Sequence, residues 1–324
     1  MAKHLAASRQ LLSLRLSWIL PSPLKAVAMS ASQFTDIEVM TGQGQVPEAS
    51  EFNNEVLNGV EVLIFDVFGT VVDWRGSVTR ELEQLGRRYG LSDTTQNWIE
   101  FADEWRKGYM ENTRRIAQGG EGSLNVDVMH REILDKMLSS RWSHVGDVLN
   151  EEARVNLNSV WHRLDGWPDT LPGLQALKTK YVNDGHNLLE AKPIILATLS
   201  NGNMRLLVDM AKHAQLPWDV IFSSALFGSF KPNPKTYLSA LSHLSISSTP
   251  HKAAMVAAHL FDLQAAKGVG MRTIYVRRPR EDEDLSEKER RKEGGREEVK
   301  SKAEGGVVDV VVEDFMKLAR LFRP

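Results

Sequence analysis

The chain has 324 residues, 42% hydrophobic and 25% charged, with a formal net charge of −2. That balance allows a sizeable core and gives no broad electrostatic case for nucleic acid or a membrane surface. The absence of any cysteine excludes disulfides, thiolate catalysis and cysteine-based zinc or iron–sulfur sites, and no apolar run approaches the ~18 residues of a membrane-spanning helix.

Residues 1–58 read as an N-terminal tail and linker. Lys3, Arg9, Arg15 and Lys25 are basic, and no acidic residue precedes Asp36. Leu11, Leu12, Leu14, Leu16 and Ile19 suit an amphipathic helix ended by Pro21 and Pro23, which resembles an organelle transit peptide. A floppy tail, or a true start at Met29, explains the same residues, so a mitochondrial address stands beside a cytoplasmic one. The polar stretch 36–58, with Gly42, Gly44 and Pro47, reads as linker.

The first structured element is a buried strand over Val62–Phe65 that stops at Asp66. A carboxylate at the carboxyl end of a buried strand sits where open α/β sheets put their chemistry. Gly69 permits a tight turn, and Thr70 lies within a turn's reach of Asp66. Helices are then predicted across Ser77–Trp167. Trp98, Phe101, Ala102, Trp105 and Tyr109 form one apolar stripe with Arg106 at its edge. Val128–Leu138 carries another helix, and Leu157, Val160, Trp161 and Leu164 a further one.

Strands and helices alternate after that. Strands are predicted at 193–199, ending at Ser200-Asn201-Gly202, at 219–223, 255–258, 272–276 and 307–312. Helices fall at 172–177, at 206–214, around Tyr237–Leu241 and in the alanine-rich run after Asp262. This pattern predicts an α/β fold, a doubly wound parallel sheet. Its core comprises residues 59–76 and 171–324, with a helical cap inserted over 77–170. Residues 277–306, dense in Glu, Lys and Arg, are expected to be a solvated, mobile loop within that core.

Four strand ends thus present polar groups to one rim: Asp66 with Thr70, Ser200 with Asn201, Lys231, and His259 with Asp262. The ordered set Phe-Asp-Val-Phe-Gly-Thr (65–70), Trp105-Arg106, Leu-Ser-Asn-Gly (199–202), Phe-Lys-Pro (230–232) with Tyr237, and Ala-Ala-His-Leu-Phe-Asp-Leu (257–263) resembles the haloacid dehalogenase superfamily. Within it the chain is most similar to the L-2-haloacid dehalogenases of type II, whose core is Rossmann-like. Phosphatases of that superfamily carry a second Asp two residues after the nucleophile, where this chain has Phe68. They also carry an acidic magnesium ligand four residues before the position of Asp262, where it has Ala258.

The resemblance implies metal-independent, cofactor-free hydrolysis of short 2-haloacids, with Asp66 displacing halide and water opening the resulting ester. It gives catalytic roles to Asp66, Thr70, Lys231, His259 and Asp262. Phe68, Arg106, Ser200, Asn201 and Tyr237 would bind substrate or halide. Where the type member has a Ser and an Asn, this chain has Ala257 and His259, and Phe68 replaces a Tyr. His259 either shares in water activation with Asp262 or only satisfies a loop carbonyl. The expected partner is a small 2-haloacid, with no nucleic acid or membrane, and a homodimer is open. The alternatives are a phosphatase acting on a small phosphorylated metabolite and a catalytically idle binding protein.

Overall fold

The structure is a computed structural model that describes residues 54–91, 97–180, 192–282 and 299–322. The transit-like helix and most of the linker lie outside the described residues. The linker's last part is not linker: Asn54–Leu57 forms a 3-10 turn, and Leu57 is buried in the core.

Six strands form one parallel sheet. They are β1 (Val62–Phe65), β2 (Ile195–Ser200), β3 (Val220–Ser223), β4 (Ala253–Ala257), β5 (Arg272–Val276) and β6 (Val310–Val312), in the order β3-β2-β1-β4-β5-β6. β1 is central, with Phe65 in register with Thr198 on one side and Val256 on the other. Strand alternation divides its apolar run between two cores. Val62 and Ile64 pack with Leu199, Met255, Tyr237 and Leu263, whereas Leu63 and Phe65 pack with Leu196, Val256, Ile274 and Phe315. A strand covered on both faces has no solvent side, which is why it reads as continuously apolar.

Among the described residues six helices lie between β1 and β2, and the first five are α1 (Trp74–Tyr89), α2 (Trp98–Ala117), α3 (Val126–Leu138), α4 (Ser143–Gly146) and α5 (Glu151–Asn158). The stripe on α2 buries Trp98, Phe101, Ala102, Trp105 and Tyr109, and Arg106 is buried with it. The helix predicted around Leu157–Leu164 is cut short. α5 ends at Asn158 and a 3-10 turn, Ser159–His162, follows. The Ser159 hydroxyl donates to the Asn156 carbonyl at 2.7 Å, competing with the helix's own bonding there.

The remaining helices cover the sheet: α6 (Thr170–Lys178), α7 (Met204–His213), α8 (Pro234–His243), α9 (Leu260–Gly268) and α10 (Phe315–Leu321). α10, which the sequence pattern did not disclose, packs on α6. A Cβ at Gly173 would fall 2.4 Å from the Phe315 Cβ, so a glycine lets the two helices meet.

The solvated loop expected over 277–306 is corrected at its first residues, while 283–298 lie outside the described residues. Arg278 donates to the Thr70 carbonyl at 2.9 Å and to both oxygens of Asp169, and Glu281 is buried. At the far end Ser301 and Glu304 form a capping box on a short 3-10 turn. Composition alone suggested solvation; paired charges instead let the first end pack, while the far end is ordered but stays exposed.

Candidate active site

Asp66 lies where the β1 ladder ends, its amide donating to Val256 O at 3.0 Å. Gly69 then adopts φ +82°, a conformation glycine takes without strain. This turn brings the Thr70 hydroxyl back to donate to Asp66 Oδ2 at 2.7 Å. The same hydroxyl accepts from the Ala258 amide at 2.9 Å, which ties the loop after β1 to the end of β4. Lys231, between β3 and α8, donates to Asp66 Oδ1 at 2.8 Å and also to Asp262 Oδ2. Its backbone is held by Asn201, whose Oδ1 accepts from Lys231 N at 2.7 Å and whose Nδ2 donates to Lys231 O at 3.2 Å. The Tyr237 hydroxyl donates to the remaining oxygen of Asp262.

His259 precedes the first turn of α9. Its Nδ1 lies 3.1 Å from Asp66 Oδ2 and its Nε2 3.1 Å from Glu281 Oε2. Burial opposes a charge on the ring, but the two carboxylates win and raise its pKa to about 10. Both nitrogens are therefore donors at neutral pH. Burial likewise works against an ionised Asp66, yet Lys231 and the His259 bond hold its carboxyl well below the ordinary range. Burial pushes the Asp262 carboxyl up, with the charge of Lys231 opposing. Glu281 is lowered against its own burial by the His259 bond.

The facing wall belongs to α2. The Arg106 guanidinium lies over the rings of Tyr109 at 4.7 Å and of Phe68 and Trp74, both at 5.3 Å. Its Nη1 is buried and finds no hydrogen-bond acceptor among the described residues. Asp66, Arg106, Asn201, Lys231 and His259 line one cleft, with Phe68, Tyr109, Met110 and Phe261 supplying apolar surface. An acidic residue thus faces a cleft whose cations outnumber it, walled largely by carbon. Such a site suits a small anion with an apolar body. Among the described residues no group of three or more His, Asp or Glu could hold a metal ion.

Residues 60–270 match the family model of the haloacid dehalogenase-like hydrolases. The chain belongs to that family. Among solved structures, the fold is similar to the L-2-haloacid dehalogenase PA0810, at 32% identity and a TM-score of 0.64, covering 81% of this chain and 98% of that one. It is also similar to the defluorinating L-2-haloacid dehalogenase Rha0230, at 33% identity and a TM-score of 0.65, covering 82% and 96%. A further relative is (S)-2-haloacid dehalogenase 4A of Burkholderia cepacia, 22% identical over 227 residues, 69% of this chain and 85% of the relative.

Within this haloacid dehalogenase-like fold, Asp66, Thr70, Lys231, His259 and Asp262 form one hydrogen-bonded cluster, and Phe68, Arg106 and Asn201 face the same cleft. Two expected binding residues do not line it. Ser200 is fully buried, its Oγ accepting from the Gly202 amide at 3.2 Å. Tyr237 is buried and spends its hydroxyl on Asp262. His259 contacts two carboxylates rather than a loop carbonyl. Three members of the site were not singled out from the sequence for it. Tyr109 was legible only as helical packing, Trp74 precedes the predicted helices and carried no signal, and Glu281 was hidden in a run of charges that carries no periodicity.

Proposed function

We propose that the chain hydrolyses short 2-haloalkanoic acids to 2-hydroxy acids through an ester on Asp66. The carrying observation is the pairing, across one cleft, of an Asp66 held ionised by Lys231 with an Arg106 whose buried Nη1–H has no acceptor among the described residues. A carboxylate that is charged yet largely dehydrated is a competent nucleophile toward saturated carbon. A guanidinium framed by aromatic rings is weakly hydrated, and its spare donor suits a departing halide. The helices between β1 and β2 would then act as a cap that carries Arg106 over the nucleophile.

Thr70 aims Asp66, and Lys231 offsets the cost of its burial. The substrate carboxylate is left to the backbone amides after Asp66, since Ser200 does not line the cleft. Solved relatives at 32% and 33% identity that bear the name L-2-haloacid dehalogenase support this reading. A magnesium-dependent phosphatase fits these residues poorly. Phe68 cannot pass a proton to a leaving group, Ala258 offers no ligand, and the Lys231 ammonium bonds to both Asp66 and Asp262.

The test is a single turnover of an L-2-haloacid with enzyme in excess, in ¹⁸O water. Attack by Asp66 gives unlabelled hydroxy acid in the first turnover and leaves the label on Asp66. Backside attack also inverts the carbon, so the product is the D-hydroxy acid. Label in the first product would make Asp66 a general base, and retained configuration would exclude a single backside displacement; either result overturns the ester.

A further inference from the structure

We propose that Glu281, brought in from the segment after β5, is the positioning residue that makes His259 the base for the water step. This rests on the dehalogenation reading and deepens its second half.

Glu281 is held as a member of the site, although it begins a stretch rich in charge. Its Oε1 accepts from the Trp74 indole at 2.9 Å while Oε2 faces His259. A Cβ at Gly69 would fall 2.0 Å from Glu281 Oε2, so the glycine of the turn after Asp66 also makes room for this carboxylate. Arg278, three residues earlier, fixes the segment to Thr70 O and Asp169. His259 therefore stands between two carboxylates, one at each nitrogen. The other charged groups around it are Lys231, Arg75, Arg106, Arg114, Arg280 and Asp282.

In the resting site His259 is a cation and cannot accept a proton. The displacement step changes that. An Asp66 oxygen bonds to the substrate carbon, the carbon–halogen bond breaks with its electron pair on the halide, and the Asp66 charge is gone. With one of its two anions lost, the imidazolium releases a proton to solvent alongside the halide. The proton that stays is the one on Nε2, because Glu281 is still there to accept it. Nδ1 is left with a free lone pair facing the ester.

Water entering there gives a proton to Nδ1 as its oxygen adds to the Asp66 carbonyl carbon. Collapse expels the hydroxy acid, whose oxygen takes that proton back from His259. Asp66, now a carboxylic acid, returns its proton to Nδ1 and restores the resting ion pair. The sum is haloacid plus water giving hydroxy acid, halide and one proton. His259 is thus silent until the ester exists.

The experiment is rapid quench of Glu281→Gln with L-2-chloropropionate, read as halide release and as intact protein mass. The first-turnover halide burst should persist within about threefold while kcat falls ~100-fold, so the Asp66 ester accumulates. In substrate-free protein, ¹⁵N-histidine NMR should show wild-type His259 protonated past pH 8 and the variant titrating lower. Glu281→Asp, which keeps the charge but shortens its reach, should fall between the two and carries the test if Glu281→Gln does not fold. Ester hydrolysis at the wild-type rate, or a halide burst that falls as far as kcat, would overturn the role of Glu281. A wild-type protein that releases no halide and forms no ester would instead overturn the dehalogenation reading beneath it.

Discussion

The two walls of the cleft handle charge differently. On the sheet side the acceptor atoms of Asp66 and Asp262 are occupied: Lys231 bridges both, while Thr70, His259 and Tyr237 take the other oxygens. On the helical side Arg106 lies over three aromatic rings with a buried donor that no described residue accepts from. A saturated network fixes geometry and costs little to keep, whereas an unsatisfied buried donor is costly until something fills it. The first wall therefore reads as preorganisation, and the second as a place held for a ligand.

Lys231→Met should break the contrast most severely. It leaves Asp66 and Asp262 buried near each other without their shared cation. The expected loss is about 3–5 kcal/mol in urea unfolding, as for a broken buried pair. The acid limb of kcat/KM should also move to higher pH, because Asp66 loses the charge that depresses it. Unchanged stability and an unmoved limb would show that the network is not what keeps Asp66 ionised.

Arg106→Lys tests the other wall. The charge stays but the planar fork goes, so turnover should fall about 100-fold. Unfolding should change little, because the lost Nη1 has no hydrogen-bond partner among the described residues. A stability loss as large as that of Lys231→Met would make Arg106 a packing residue and dissolve the comparison.

A third test is a pH slope. His259 is raised from an ordinary 6.5 to about 10, so its ion pairs contribute fully below 6.5 and are lost as the pH rises towards 10. Wild-type stability should decline over that window, and His259→Gln should flatten the decline. Asp66 is depressed, so its contribution is complete above its ordinary 3.8 and fades as the pH falls below it. Denaturation midpoints measured from pH 6 to 10 in both proteins settle the His259 part. Parallel curves would mean the ring is not charged in the resting site.

What the sequence determined by itself was the frame. The strand over Val62–Phe65 is legible because both its faces are buried, and Asp66 is legible because that apolar run stops there. The order of Thr70, Asn201, Lys231 and Asp262 along the chain sufficed to assign them to one rim, since parallel strands bring their carboxyl ends together. Composition went wrong where pairing matters. Glu281 and Arg278 look solvated in a run of charges, but a buried carboxylate is stable once an indole and an imidazolium satisfy it. Ser200 and Tyr237 sat at plausible positions, and only packing decided that one faces the Gly202 amide and the other Asp262. The charge state of His259 was equally out of reach. It depends on two carboxylates, 193 and 22 residues away along the chain, and only the tertiary structure brings all three within hydrogen-bonding distance.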